Sequence, residues 1–229
     1  RAQRPPEARP PASPADEEVE VDAGELILPG HLTAPSGAVG VVVFAHGSGS
    51  SRHSPRNRFV ADQLNTAGLA TLTFDLLTDA EARDRRNVFD IGLLASRLAR
   101  AAEWVRDHPA VAGLPVALFG ASTGAAAALV AASDRSREFA AVVSRGGRPD
   151  LAGDRLAHVT APTLLIVGGD DTVVIGLNRE AQRSLRCERR LSIVPGATHL
   201  FEEPGTLESV AELAAAWFVE HCTGAGSPR

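Results

Sequence analysis

The sequence predicts an α/β fold: a mostly parallel sheet with helices on both faces, antiparallel strands at its amino-terminal edge and no large cap. Three observations carry that expectation. Residues 39–45, 69–74 and 162–167 are short, nearly continuous apolar runs, as expected for strands buried on both faces. Segments with apolar residues at helical spacing lie between the runs, so strand and helix alternate along the chain. Finally, Gly120-Ala121-Ser122-Thr123-Gly124 stands where an apolar run ends and a run of small residues begins, which reads as strand, sharp turn, helix.

With 229 residues the chain is long enough for one sizeable core. The expected layout is a disordered tail or linker over 1–16, one domain over 17–221 and a flexible tail over 222–229. The first fourteen residues hold five prolines and several arginines with no apolar stretch, which is neither a signal peptide nor a folded element. Hydrophobic residues make up 44% and charged residues 22%, ordinary for a globular chain. A formal charge of −5 offers no basic field to nucleic acid, and no apolar run reaches membrane-spanning length. Cys187 and Cys222 have no metal-type spacing and read as free thiols of a reducing, cytoplasmic compartment, with a single bridge between them as the alternative. The chain contains no Lys, Tyr or Met, so all 23 basic residues are Arg. Lysine Schiff-base chemistry, a P-loop lysine and a tyrosine acid are thereby excluded.

Along the chain, 17–21 and 25–28 read as two short strands joined by a turn, and Pro29-Gly30 leads through His31 to a second turn at Pro35-Ser36-Gly37. The buried strand 39–45 ends in the Gly- and Ser-rich loop 46–51, and a helix over 55–67 stops at Gly68. Strand 69–74 closes with Asp75, expected to hydrogen-bond locally. Residues 78–87 are charged and read as a surface loop or short helix, and 89–105 as a long amphipathic helix. After the Gly-x-Ser-x-Gly turn come strands over 139–143 and 162–167, a helix over 174–185, a last strand over 190–194 and a closing helix over 207–218. The connection from Ser144 to Thr160 is too short for a large cap, so the carboxyl edge of the sheet should be open. Among the histidines, His31 reads as a surface or strand-edge residue and His46 as structural. His108 reads as a helix end, His158 as peripheral and His221 as surface.

The chemistry-bearing residues follow strand ends, where open α/β sheets bind ligands. Ser122 in its turn is a candidate nucleophile, the small Gly120, Ala121 and Gly124 letting strand and helix close on it. Gly168-Gly169-Asp170-Asp171 follows one strand, and a carboxylate there can orient a histidine; either aspartate could instead cap the next helix, and the residues alone leave the two open. His199 follows the last strand. The order serine, acid, histidine is that of the α/β-hydrolase fold. Backbone N–H groups of Thr123 and Ser48 are the expected oxyanion donors. Gly47 and Gly49 allow close approach of a substrate, and His53 and Arg56 stand at the expected rim. Arg145 reads as a contact for an anion or carbonyl, or as a structural ion pair. The chemistry requires no metal or organic cofactor.

Over 17–218 the chain resembles the dienelactone hydrolase-like branch of the α/β hydrolases, and in particular small bacterial hydrolase domains also found joined to a phosphoribosyltransferase domain. The matching stretches are 44–57, with His46-Gly47-Ser48-Gly49-Ser50-Ser51-Arg52-His53-Ser54-Pro55-Arg56-Asn57, then 119–126, 144–150 and 194–205. The resemblance implies that Asp171 is the acid and that the Pro-rich start is a linker from a phosphoribosyltransferase partner. Dienelactone hydrolases proper carry Cys where this chain has Ser122. The implied activity is therefore hydrolysis of small soluble esters, with thioester hydrolysis, acyl transfer and a purely scaffolding module as alternatives.

Overall fold

The computed structural model describes residues 14–134 and 138–224. Of the expected tails, 1–13 and 225–229 lie outside the described residues. The strands are β1 (Ala15–Asp22), β2 (Ile27–Ala34), β3 (Val41–Ala45), β4 (Ala70–Phe74), β5 (Val116–Ala121), β6 (Val142–Arg145), β7 (Thr163–Gly168) and β8 (Arg189–Val194). They form one sheet in the order β1-β2-β4-β3-β5-β6-β7-β8. β2 runs antiparallel to both β1 and β4, and every other pairing is parallel. The expected α/β-hydrolase architecture is therefore the observed one, with its antiparallel strands at the amino-terminal edge.

The helices are α1 (Pro55–Thr66), α2 (Asp79–Ala82), α3 (Arg85–Val88), α4 (Ile91–Asp107), α5 (Thr123–Ala132), α6 (Thr172–Ser184) and α7 (Thr206–Gly224), with a kinked 3-10 stretch over Pro149–His158. Their starts are chemically marked. Ser54 Oγ accepts the Asn57 N–H ahead of Pro55 in α1, Thr78 and Glu81 form a reciprocal capping box at α2, and Asp90 accepts the Leu93 N–H at α4. Side chains alternate across the central strands and build two cores. Val41, Val43 and Leu118 join the core beneath α4 and α5. Val42, Phe44, Ala117 and Phe119 join the one beneath α1 and α7, where the Phe44 and Phe119 rings meet at 4.7 Å between centroids. The paired ends Ala45–Gly120, Ala121–Arg145 and Gly168–Val194 bring the carboxyl termini of β3, β5, β6, β7 and β8 to one edge. Only α2, α3 and the 3-10 stretch rise near that edge, so no large cap covers it. Among the described residues no helix is long and apolar enough to cross a membrane.

Two local expectations are corrected. β2 does not stop at Pro29 but continues to Ala34, because β4 pairs with it only from Gly30 onward and the missing proline N–H breaks no bond to β4. Gly30 is a point of close approach there, since a Cβ would meet Phe74 Cβ and Thr73 O at 3.1 Å, and the expected second turn follows the strand at Ser36-Gly37. His221 is not a surface residue: α7 outruns its apolar pattern, and the imidazole packs edge-on against Trp217 at 4.4 Å.

His31 ties the sheet edge together, with Nε2 2.7 Å from Asp16 Oδ1 and Nδ1 2.9 Å from Glu18 Oε1. Two carboxylates on one ring are satisfied only by the doubly protonated imidazole. Burial alone pulls its pKa down, but the hydrogen bonds and charges of Glu18 and Asp16 outweigh that and the net shift is upward. The resulting stabilisation is full below the ordinary histidine value of about 6.5 and is lost as pH rises through the raised folded value. Amide hydrogen exchange of β1, corrected for intrinsic rates, should quicken relative to β5 across that window, and His31→Asn should remove the difference. Equal pH dependence of the two strands in the parent chain would refute it.

Candidate active site

Ser122 joins β5 to α5 at φ +52° and ψ −119°, a backbone region that non-glycine residues rarely occupy. Such strain costs on the order of 1–3 kcal/mol and persists only where the surroundings enforce it. Here Ser122 N–H donates to Arg145 O at 3.2 Å, and Ser122 O accepts from the N–H groups of Ala125 and Arg148 at 3.1 and 3.2 Å. The flanking glycines allow the fit. A Cβ on Gly120 would overlap Ala125 Cα, and one on Gly124 would overlap the carbonyl oxygens of Ala45 and His46. Although Ser122 holds the N-cap position of α5, its side chain makes no capping bond, which leaves the hydroxyl free.

The acid and the histidine reach the same edge on two loops that are fastened to each other. Gly169 N–H donates to Val194 O at 2.8 Å and Asp170 N–H to Ala197 O at 3.0 Å. Asp171 occupies the N-cap position of α6 without capping it; its Oδ2 instead lies 2.7 Å from His199 Nδ1. Asp170 is exposed. Of the two aspartates it is Asp171 that lies beside the histidine. In the neutral ring that contact places the proton on Nδ1 and leaves Nε2 as the acceptor. The His199 loop is braced by Glu203, which accepts from Thr198 N–H at 3.0 Å and Thr198 Oγ1 at 2.6 Å. The buried Phe201, at φ +56°, anchors its far side. Gly146 lies against the histidine: a Cβ there would stand 3.5 Å from the His199 ring, and the preceding Arg145 carbonyl accepts the Ser122 N–H.

The loop after β3 completes the edge. His46 is structural, as expected: Nδ1 faces Gly47 O at 3.0 Å and Nε2 accepts Leu76 N–H at 3.1 Å. Burial lowers its pKa, which keeps the ring neutral and suits one nitrogen as donor and the other as acceptor. Asp75 has the expected hydrogen-bonding role, accepting from Arg52 N–H at 2.7 Å and Arg52 Nη1 at 2.8 Å. Gly47 lies against Ser122, since a Cβ there would be 3.2 Å from Ser122 Cβ. Ser48 N–H donates to Thr123 Oγ1 at 2.9 Å.

A cleft of about 550 Å³ opens beside this loop, lined on the near side by Gly47, Ser48 and Gly49 and on the far side by Leu76, Leu77 and Leu94. Sequence reasoning missed the apolar wall. Its signal was Leu76-Leu77, an apolar pair placed after the end of a strand. His53 lines the same cleft and is exposed, while Gly49 is exposed at the tip of the loop. Arg56 approaches Glu202 at 3.5 Å, linking α1 to the His199 loop. Arg145 is buried, and Nη2 donates to Asn57 Oδ1 at 3.2 Å. Among the described residues no carboxylate pairs with it, so the ion-pair alternative is not what the fold builds. Burial, then the charge of Arg56, lowers its pKa to about 10. Cys187 and Cys222 are free; burial pushes the Cys222 thiol up to about 11, far from a reactive thiolate. Among the described residues no group of three or more His, Cys, Asp or Glu side chains is placed to hold a metal ion.

Known proteins share this frame. A family model described as an alpha/beta hydrolase domain matches residues 38–218. Proteins of two Mycobacterium tuberculosis strains, each provisionally named a phosphoribosyl transferase, are 63% identical over 211 residues, covering 92% of this chain and 48% of their own. The chain therefore spans about half the length of these curated relatives. The crystal structure of dienelactone hydrolase from Anabaena variabilis matches with a TM-score of 0.88 at 57% identity, over 91% of this chain and 98% of that one. Est1E from Butyrivibrio proteoclasticus has the same fold at a TM-score of 0.76 and 16% identity, over 90% of this chain and 99% of its own. A family match over most of its length, and a dienelactone hydrolase of more than half identical sequence on the same frame, show that the chain belongs to the α/β hydrolases, in their dienelactone hydrolase-like branch.

Proposed function

We propose that this hydrolase is a serine carboxylesterase in which Ser122, His199 and Asp171 act as nucleophile, base and orienting acid. The carrying observation is the Asp171–His199 contact of 2.7 Å at the same sheet edge as a serine that turns the chain at φ +52° with its hydroxyl unbonded to its own helix. In this reading His199 Nε2 takes the Ser122 proton as Oγ attacks the ester carbonyl, and Asp171 stabilises the imidazolium. Negative charge gathers on the former carbonyl oxygen at the start of α5, where the Thr123 N–H and the helix dipole favour it and the Ser48 N–H meets Thr123 Oγ1. His199 returns the proton to the departing alcohol oxygen as the C–O bond breaks. Water then attacks the acyl-enzyme by the same route in reverse, releasing the acid and restoring Ser122.

The site is open to solvent, with His199 39% exposed at its side chain. Water therefore competes well for the acyl group, which favours hydrolysis over acyl transfer. The modest cleft beside Ser48, apolar on one wall only, suits short, soluble esters rather than long lipids. Gly47, Gly49 and His53 line the cleft, and Arg56, paired with Glu202, and Arg145, bonded to Asn57, are the further candidate substrate contacts. The free thiols fit a reducing, cytoplasmic setting. A phosphoribosyltransferase domain joined to this one in the full-length protein would account for the name and extra length of the mycobacterial relatives.

A fluorophosphonate probe should label Ser122, located by peptide mass spectrometry. Ser122→Ala should lower p-nitrophenyl butyrate turnover by about 10⁶-fold, on the scale of triad knockouts. Full turnover in that variant would remove the nucleophile assignment. The neighbouring aspartates provide an internal comparison: Asp171→Asn should cost about 10⁴-fold in kcat through the wrong histidine tautomer, with Asp170→Asn near the parent value. A reversed ranking would reassign the acid.

A further inference from the structure

The second expected oxyanion donor is already engaged. Ser48 N–H donates to Thr123 Oγ1 at 2.9 Å, a contact between residues 75 apart in sequence. Thr123 is 4% exposed, so burial holds its side chain in place. A hydroxyl has two lone pairs and one proton. With one lone pair given to Ser48, the proton is left to donate, and among the described residues no acceptor takes it. Thr123 is also the first residue of α5 and follows Ser122 directly. Its backbone N–H belongs to the first turn, whose N–H groups have no partner within the helix. One residue therefore presents two donors, N–H and O–H, beside the nucleophile, and the loop residue Ser48 stands behind the second.

We infer that the Thr123 hydroxyl is itself an oxyanion donor, with the Ser48 N–H acting through it rather than directly on the substrate. This rests on the esterase reading above. As the Ser122 Oγ–C bond forms and the carbonyl π pair moves onto oxygen, that oxygen accepts from Thr123 N–H and Thr123 O–H. No proton changes owner, and when the tetrahedral intermediate collapses the C=O is restored and both hydrogen bonds weaken. The relay from Ser48 strengthens the hydroxyl as a donor, because a group that accepts one hydrogen bond becomes more polarised toward giving the next. It also fixes the direction of the hydroxyl before substrate arrives, which is the preorganisation that makes such donors effective. The competing arrangement is a plug: the hydroxyl merely occupies Ser48 N–H at rest and rotates away to surrender it to the substrate.

Thr123→Val separates the two, since valine keeps the shape, deletes the hydroxyl and frees Ser48 N–H. If the hydroxyl is a donor, kcat for p-nitrophenyl butyrate should fall by about 10²–10³-fold with KM little changed, the scale of losing one oxyanion donor. Affinity for a short-chain alkyl trifluoromethyl ketone, which forms the same oxyanion, should fall in parallel, and Thr123→Ser should retain most of both. If the hydroxyl is a plug, Thr123→Val should equal or exceed the parent in kcat and in ketone affinity, and that result overturns the inference. Thermal melting is run on each variant. Should the valine form fail to fold, Thr123→Ala against Thr123→Ser makes the same comparison, and equal kcat in those two overturns the inference as well. Ser122→Ala is the companion control: if it keeps full turnover, the esterase reading falls, whereas an inactive Ser122→Ala beside an undiminished Thr123→Val removes only the role of the threonine hydroxyl.

Discussion

The contact of α5 with the ends of β3 and β5 is the constraint on which the rest of the site depends. Gly124 lies against the carbonyl oxygens of Ala45 and His46, and Gly120 against Ala125, with no room for a Cβ at either place. Bringing a helix that close to a sheet leaves one residue to turn the chain, and Ser122 does so at φ +52°. The strain is local, but the forces that hold it are not. The apolar faces of α5 are buried almost throughout, and the Ser122 peptide is bonded to β6 through Arg145 and to the chain beyond it through Arg148. Relaxing the serine would require moving the helix off its core.

The same closeness places the first turn of α5 against the loop after β3. Ser48 N–H reaches Thr123 Oγ1 because Gly47 can lie against Ser122. Behind that loop, the neutral His46 bridges Gly47 to Leu76, and Arg52 fastens the loop to Asp75. These contacts connect the ends of β3 and β4, so the cleft next to Ser48 has walls from two loops that are bonded to each other. These hydrogen bonds give a fixed shape to a part of the chain with no regular secondary structure.

On the other side of Ser122, the loops after β7 and β8 are joined by backbone hydrogen bonds at Gly169 and Asp170. That pairing has a consequence for the neighbouring aspartates. Asp170 spends its backbone on Ala197, and the chain then turns so that Asp171 rather than Asp170 meets His199. Both aspartates follow a strand and precede a helix, and both have the chemistry of a helix cap, so composition could not rank them. The direction of the turn did.

Much of the architecture was legible in the sequence because it rests on local and periodic signals. Buried strands read as apolar runs, Gly68 stopped α1, and small residues around Ser122 marked a place where backbones meet. Ser122, the aspartate pair and His199 stood out because each follows its own strand, and a parallel sheet brings those ends to one edge. Other features depended on partners distant in sequence. The apolar pattern of the second strand ends before Pro29-Gly30, and only the pairing of β2 between β1 and β4 showed the strand continuing through it to the turn at Ser36-Gly37. His221 lies on an amphipathic helix whose last turn is covered by its own Trp217. Leu76 and Leu77 became a cleft wall only when the loop after β3 folded opposite them. The sequence by itself thus determined the α/β order, the strained serine and the residues able to complete its chemistry, since these follow from side-chain size, hydropathy and chain order. Tertiary structure decided which aspartate meets the histidine, which hydroxyl meets Ser48 and what walls the cleft, because each is a contact of a few ångströms between segments that the sequence keeps far apart.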